Sequence, residues 1–147
     1  MSYTYQGYFK PKNPSKYIGN SSNIIYRSSW ELKLMGYLDS HPSILKWSSE
    51  ELAIPYFSPV DRRLHRYFPD FLIQKKDVKG TTSTVLVEVK PKNQTQPPKK
   101  KTRTTKKYIN EVKTYAINEA KWKAALEYCK DRGWEFMIMT EKELGIK

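Results

Sequence analysis

Two apolar runs that enclose charged residues constrain the fold of this chain more than any other feature. The run 84–90, Thr-Val-Leu-Val-Glu-Val-Lys, is dominated by β-branched residues and predicts a strand. The run 67–73, Tyr-Phe-Pro-Asp-Phe-Leu-Ile, precedes it, and the polar segment between the two contains Gly80. Because a glycine in a short polar connection favours a turn, the two runs are predicted to pair as a β-hairpin.

The alternation of side chains along the second strand places two charged residues together. Successive side chains of a strand point to opposite faces, so Glu88 and Lys90 project the same way, about 7 Å apart. The three valines of the run face the other side. Asp70 lies inside the paired apolar run, and carboxylates in such surroundings are rarely left unpaired. The pattern therefore predicts two carboxylates from neighbouring strands beside a lysine.

This set of residues suits metal-dependent hydrolysis of a phosphodiester bond. Two carboxylates can hold Mg²⁺, which favours oxygen ligands, and the backbone carbonyl of Val89 is a further candidate ligand. The cation lowers the pKa of a bound water and stabilises the scissile phosphate, while Lys90 adds positive charge. The alternative is that Glu88 and Lys90 form a solvated strand face and Asp70 opens a turn, since charged residues make up 29% of the chain.

Charge and composition limit the partners and the kind of metal site. The formal charge of +12 favours a polyanion such as DNA, because neutralised phosphates release their counterions. No apolar run is long enough to span a membrane, and the N-terminus lacks the apolar region of a signal peptide. Cys129 is the only cysteine and there are two histidines, so oxygen atoms are the expected metal ligands.

A helix is predicted from the segment that begins at Ser28. Ser28 followed three residues later by Glu31 is a capping box. Apolar residues, among them Met35 and Leu38, continue at helical spacing. Glu31 stands at the head of this apolar stripe and has two interpretations. It is either a capping carboxylate or a third acid that points toward the two acids of the hairpin.

The remaining sequence divides into an arm and one domain. Residues 1–23 are predicted to form an irregular basic arm rich in aromatic residues, and residues 24–147 to form the domain. Short strands are expected at 44–47 and 53–57, with a turn at 58–61.

The second half of the domain is predicted to contain a helix between two strands. A helix is expected over 108–130, broken near Asn118 and ended by Gly133. A strand at 134–139 and a short helix at 140–144 follow. A strand, a helix and a further strand favour a mixed β-sheet, and hence a single α/β domain.

Basic residues surround the predicted site. Residues 91–107 are rich in proline and lysine and cannot bury an apolar face, so we expect a mobile basic loop. The alternative is a merely solvated loop, but it leaves directly from Lys90, where DNA contact is favoured. The candidates for contact with DNA are Arg27, Arg62, Arg63, Arg66, Lys92, Lys99, Lys100, Lys101, Arg103, Lys106 and Lys107.

Three motifs in this order resemble the PD-(D/E)XK nuclease superfamily. They are Tyr-Arg-Ser-Ser-Trp-Glu at 26–31, Arg-Tyr-Phe-Pro-Asp-Phe at 66–71 and Val-Glu-Val-Lys-Pro at 87–91. More closely, they resemble the endonuclease subunit of heteromeric transposases. The compact length and the basic loop are similar to those of the head-completion nucleases of T-even-type tailed phages. The resemblance covers about residues 24–145.

The resemblance implies a fold, a site and a setting. The implied fold is a restriction-endonuclease-like mixed β-sheet flanked by helices. Asp70 and Glu88 would ligate Mg²⁺, with Mn²⁺ as a substitute, Glu31 would complete or orient the site, and Lys90 would act electrostatically. The transposase subunits commonly have glutamine at the position of Glu88, so the number of metal ions is not carried over.

The likeness to phage proteins implies a biological role as well. The protein would trim packaged DNA ends before tail attachment, with DNA and phage head or neck proteins as partners, in the virion and the host cytoplasm. Two other hypotheses stay open at this stage. One is a DNA-binding structural protein of the virion neck whose site no longer cleaves, and the other is a junction-resolving or restriction-type nuclease of the same superfamily.

The two interpretations of Glu31 lead to different outcomes on substitution. Glu31→Gln keeps much of the capping interaction, because glutamine also serves at this position of the box. If the carboxylate contacts metal, the variant is expected to be impaired in DNA cleavage while its melting temperature stays close to that of the wild type. Cleavage assays across a Mg²⁺ titration check this, and normal activity with unchanged metal dependence would make Glu31 a capping residue only.

Overall fold

The computed structural model describes residues 6–145, so the first five residues of the predicted arm lie outside the described residues. Two α-helices, α1 (Ser29–Ser40) and α2 (Lys106–Arg132), accompany eight strands in this range. The strands are β1 (Gly7–Tyr8), β2 (Ile25–Tyr26), β3 (Ile44–Ser49), β4 (Ile54–Phe57), β5 (Leu64–Tyr67), β6 (Phe71–Lys76), β7 (Thr82–Val89) and β8 (Glu135–Met139). Neither helix is long and apolar enough to cross a membrane.

A four-stranded mixed sheet forms the centre of the domain, in the order β3-β6-β7-β8. The pairs β3/β6 and β6/β7 are antiparallel, whereas β7/β8 is parallel and is connected through α2. The predicted hairpin is therefore formed, with Phe71 opposite Val87. The single α/β domain with a mixed sheet, consistent with a restriction-endonuclease-like fold, is confirmed.

The sheet separates two apolar clusters, as the alternation along β7 requires. Val85, Val87 and Val89 pack in the cluster that contains the apolar face of α1. Leu86 faces the opposite cluster, where it meets Trp122 of α2. Glu88 shares the face of Leu86 and thus lies on the α2 side of the sheet.

The run 67–73 is not one strand, and the prediction that it pairs continuously is wrong. Tyr67 ends β5, which pairs with β4 in a separate two-stranded ribbon, and Phe71 begins β6. Pro69 lies between them, and its missing N–H and fixed φ angle disfavour an uninterrupted strand. The break leaves Asp70 between two sheets rather than within one.

Two helix predictions also need correction. Helix α2 runs without a break through Asn118, whose side chain is buried on the helix face that packs on β4 and β8. It begins at Lys106, capped by Thr105, and the predicted stop is confirmed because Gly133 adopts φ 70°. Residues 141–145 form turns, so the short helix predicted at 140–144 is absent from this part of the structure.

The described part of the N-terminal segment packs onto the domain. Trp47 of β3 is fully buried, with its ring against the rings of Phe9 and Tyr17 at centroid distances of 5.8 and 4.8 Å. The buried carboxylate of Asp39, near the end of α1, accepts hydrogen bonds from the backbone N–H groups of Lys12 and Asn13. These interactions hold the segment beside α1 and the edge strand β3.

Candidate active site

Asp70 is fixed by backbone N–H groups from the chain segments on either side of β6 in the sheet. Its Oδ2 accepts a 2.7 Å hydrogen bond from the N–H of Val89, at the end of β7. Its carbonyl oxygen accepts a hydrogen bond from the N–H of Glu50, just after β3. The carboxylate is therefore held where β6 begins and β7 ends, next to Glu88 and Lys90.

Glu88 lies in the same place and is only 7% exposed. Its Oε1 accepts a 2.5 Å hydrogen bond from the hydroxyl of Tyr67, and its Oε2 lies 3.6 Å from Nζ of Lys90. Burial and the nearby Glu88 charge raise the pKa of the Tyr67 hydroxyl, so this group stays protonated and acts as the donor. Each oxygen of Glu88 thus has a different neighbour.

Burial makes both acids costly to ionise, and the charge of Glu88 adds to this cost at Asp70. Burial, followed by the charge of Glu88, raises the pKa of Asp70 well above its ordinary value, against the Val89 N–H and Lys90, which lower it. Burial also raises the pKa of Glu88, although the Tyr67 hydroxyl and Lys90 oppose the shift. A cation placed between the carboxylates would relieve this cost.

Glu31 lies in the first turn of α1, and its backbone takes part in the cap of that helix. Its backbone N–H donates to Oγ of Ser28, as in a capping box, but its Oε1 accepts from the N–H of Arg27 rather than from that of Ser28. The side chain is buried, and burial raises its pKa, with the charge of Glu50 acting in the same direction. Its negative charge in turn acts on Asp70.

The carboxylate oxygens of the site are chemically suited to bind a divalent metal ion. Across residues 6–145, no group of three or more His, Cys, Asp and Glu side chains is already gathered as a metal site. Asp70 and Glu88 nevertheless supply oxygen donors of the kind that Mg²⁺ prefers, in a place where their charges are incompletely compensated. A cation that keeps several of its waters fits a pair of protein carboxylates.

The basic residues named from the sequence fall into separate regions. Arg27 donates from Nε and Nη2 to the carboxylate of Glu50, with the shorter bond at 3.0 Å. Arg62, Arg63 and Arg66 are exposed on or next to the β4–β5 ribbon. The remaining candidates are exposed between the end of β7 and the first turn of α2: Lys92, Lys99, Lys100, Lys101, Arg103, Lys106 and Lys107.

Two residues near the acids were not identified from the sequence. Tyr67 belongs to the run that was predicted as one strand, and its hydrogen bond to Glu88 depends on the break at Pro69. Lys121 lies on α2, and the charges of Glu88, Lys90 and Asp70 act on its ammonium group. The one sequence signal for Lys121 is its position next to Trp122, one of the apolar residues that recur along this helix.

Comparisons with known proteins identify the family of this chain. The family model described as "TnsA-like endonuclease N terminal" matches residues 41–141, which include Asp70, Glu88 and Lys90. The chain is also 42% identical, over 150 aligned residues, to the head completion nuclease of Enterobacteria phage T4, and the alignment covers 97% of each protein. The matched family and the paired acids at the end of the β6–β7 hairpin lead to one conclusion: the chain belongs to the TnsA-like endonuclease family.

Proposed function

We propose that this endonuclease hydrolyses phosphodiester bonds of DNA with Mg²⁺ held by Asp70 and Glu88, as a head-completion nuclease of a phage. The observation that carries the proposal is the pair of enclosed carboxylates at the junction of β6 and β7, with the ammonium of Lys90 3.6 Å from Glu88. The similarity to the phage T4 protein supports the biological setting.

Each residue of the site has a distinct task in this proposal. Asp70 and Glu88 hold the cation, which supplies stabilisation of the charge that develops on the scissile phosphate. The Val89 N–H and the Tyr67 hydroxyl fix the two carboxylates, so that little reorganisation is needed when the substrate arrives. Lys90 adds a fixed positive charge beside the phosphate.

The substrate side of the proposal rests on the exposed cations. The basic loop begins directly after Lys90, and the ribbon that carries three arginines ends at Tyr67. Both segments are therefore continuous in sequence with groups of the site. DNA bound along them places its backbone at the acids, and phosphate contacts of this kind bind unrelated sequences about equally.

Removal of either carboxylate tests the site. Asp70→Asn and Glu88→Gln preserve the shape of the side chains but remove a ligand charge. We expect each variant to lose Mg²⁺-dependent cleavage of plasmid DNA by about 100-fold or more, the scale on which loss of one preorganised charge-stabilising group acts. Asp131→Asn, an exposed acid near the end of α2, serves as the control and should cleave like the wild type. Undiminished cleavage by a folded Asp70→Asn protein would refute the assignment.

The pKa shifts predict how the stability of the metal-free protein depends on pH. Because the pKa values of Asp70 and Glu88 are raised in the native state, the unfolded chain releases protons first, from about pH 4 upward. The free energy of unfolding therefore falls as the pH rises from about 4 toward the native pKa values, and it levels off above them. We expect Asp70→Asn to have a higher melting temperature than the wild type at neutral pH, and a flatter pH profile. Thermal unfolding in EDTA checks this, and parallel profiles would contradict it.

The basic loop is tested by neutralising the three lysines at 99–101 together. If they bind phosphates, alanine at all three positions weakens binding to unrelated DNA sequences about equally. The slope of log K against log salt should fall by up to about 0.9 for each phosphate that the variant no longer neutralises. The matched control replaces Lys75, Lys76 and Lys79, which are exposed at the opposite end of the β6–β7 hairpin. Superimposable salt series for wild type and loop variant would show that DNA is bound elsewhere.

A further inference from the structure

Lys121 is a cation on α2 whose surroundings the proposed roles leave unexplained. It flanks the buried face of the helix, one residue before Trp122, and its side chain is half-buried. Its Nζ lies 5.8 Å from the centroid of the Tyr56 ring and 5.7 Å from that of Tyr67. The two rings hold the ammonium group by cation–π interactions and restrict where it can point.

The ammonium of Lys121 lies over the ring of Tyr67, whose hydroxyl binds Glu88, but it does not pair with either acid of the site. The charges of Glu88 and Asp70 act on it favourably and that of Lys90 unfavourably, so it lies within the same electrostatic environment as the proposed metal ligands. Yet among the described residues no carboxylate oxygen lies within 4.0 Å of its Nζ, whereas Lys90 does reach Glu88. Burial also lowers the pKa of the Lys121 ammonium, which shows the cost of holding this charge there.

Both carboxylate oxygens of Glu88 already have a neighbour other than Lys121. Its Oε1 is bound by the Tyr67 hydroxyl, and its Oε2 is next to Lys90. A half-buried ammonium group with three donors is stabilised when it meets an oxygen-rich anion. The phosphate group of a bound DNA strand is an anion of this kind, and it has to approach the acids for cleavage to occur.

We propose that Lys121 is a second active-site cation that contacts a phosphate of the bound DNA strand at the bond to be cleaved. The inference rests on the proposed function, since it places the scissile phosphate at Asp70 and Glu88. In the metal-free protein the lysine partly compensates the two carboxylates at a distance. When a divalent cation neutralises the carboxylates, the attraction that draws Lys121 toward them weakens and its charge is available to the phosphate.

The test replaces Lys121 with methionine and with arginine. Lys121→Met keeps an unbranched side chain over the two tyrosine rings but removes the charge, whereas Lys121→Arg keeps a cation. Lys123→Met, on the exposed face of the same helix, is the matched control. Three quantities are measured: the single-turnover cleavage rate with saturating Mg²⁺, the salt dependence of DNA binding with Ca²⁺ in place of Mg²⁺, and the melting temperature in EDTA.

We expect Lys121→Met to cleave about 100-fold more slowly and to show a salt slope reduced by about 0.9, the value for one phosphate left without its cation. Lys121→Arg should recover the slope and part of the rate, and Lys123→Met should match the wild type in the cleavage rate. A wild-type rate and slope for Lys121→Met would overturn the inference. Equal losses of activity in the methionine and arginine variants, each accompanied by a lower melting temperature, would also overturn it. That result would show that Lys121 serves packing and not the phosphate.

Failure of this inference is distinguishable from failure of the proposed function. If Asp70→Asn abolishes cleavage while Lys121→Met behaves like the wild type, only the role of Lys121 is wrong. If the wild-type protein cleaves DNA no better than Asp70→Asn does with Mg²⁺ or Mn²⁺, the proposed function itself fails.

Discussion

The register of the β6–β7 hairpin is the constraint on which the site depends. Phe71 stands opposite Val87 in this antiparallel pair. Asp70 precedes Phe71 and Glu88 follows Val87, so the two acids meet at the end of the ladder. A slip of one residue would turn Glu88 toward the α1 side of the sheet and Val87 toward α2. Such a slip is strongly disfavoured, because it would bury the carboxylate of Glu88 in the apolar cluster on the α1 side, where the three valines now pack.

The acidic groups of the site are enclosed, whereas the basic groups that surround it are exposed to solvent. The acids that act on one another are enclosed at the centre, and they are fixed by neutral donors such as the Val89 N–H and the Tyr67 hydroxyl. The arginines of the ribbon and the lysines of the loop stay exposed, where single charges cost little to keep. A protein with this distribution attracts a polyanion over a wide surface while concentrating its mutually repelling acids at one point.

Local periodicity made much of this arrangement predictable from the sequence, and non-local interactions account for what was missed. Alternation of period two sufficed to place Glu88 and Lys90 on one face, and the glycine after α2 marked its end, because both signals depend only on neighbouring residues. The role of Tyr67 does not follow from local pattern, because it depends on a strand break. Tyr67 pairs in the β4–β5 ribbon, whereas Phe71, four residues later, pairs in the main sheet. The sequence predicts a helix break near Asn118 because asparagine is a weak helix former, but packing of this helix face overrides that preference.

The parallel pairing of β7 with β8 has a consequence for the order in which the chain assembles. Asp70 and Glu88 are brought together by a hairpin, whose closure needs only a short turn, so this pairing is open to the chain early. The β7–β8 ladder instead joins strands that are separated by the 27 residues of α2 and its connections, so its closure costs more chain entropy. Synthesis from the N-terminus thus delivers both carboxylates before the helix that carries Lys121, and the hairpin that joins the acids can close before the C-terminal strand docks.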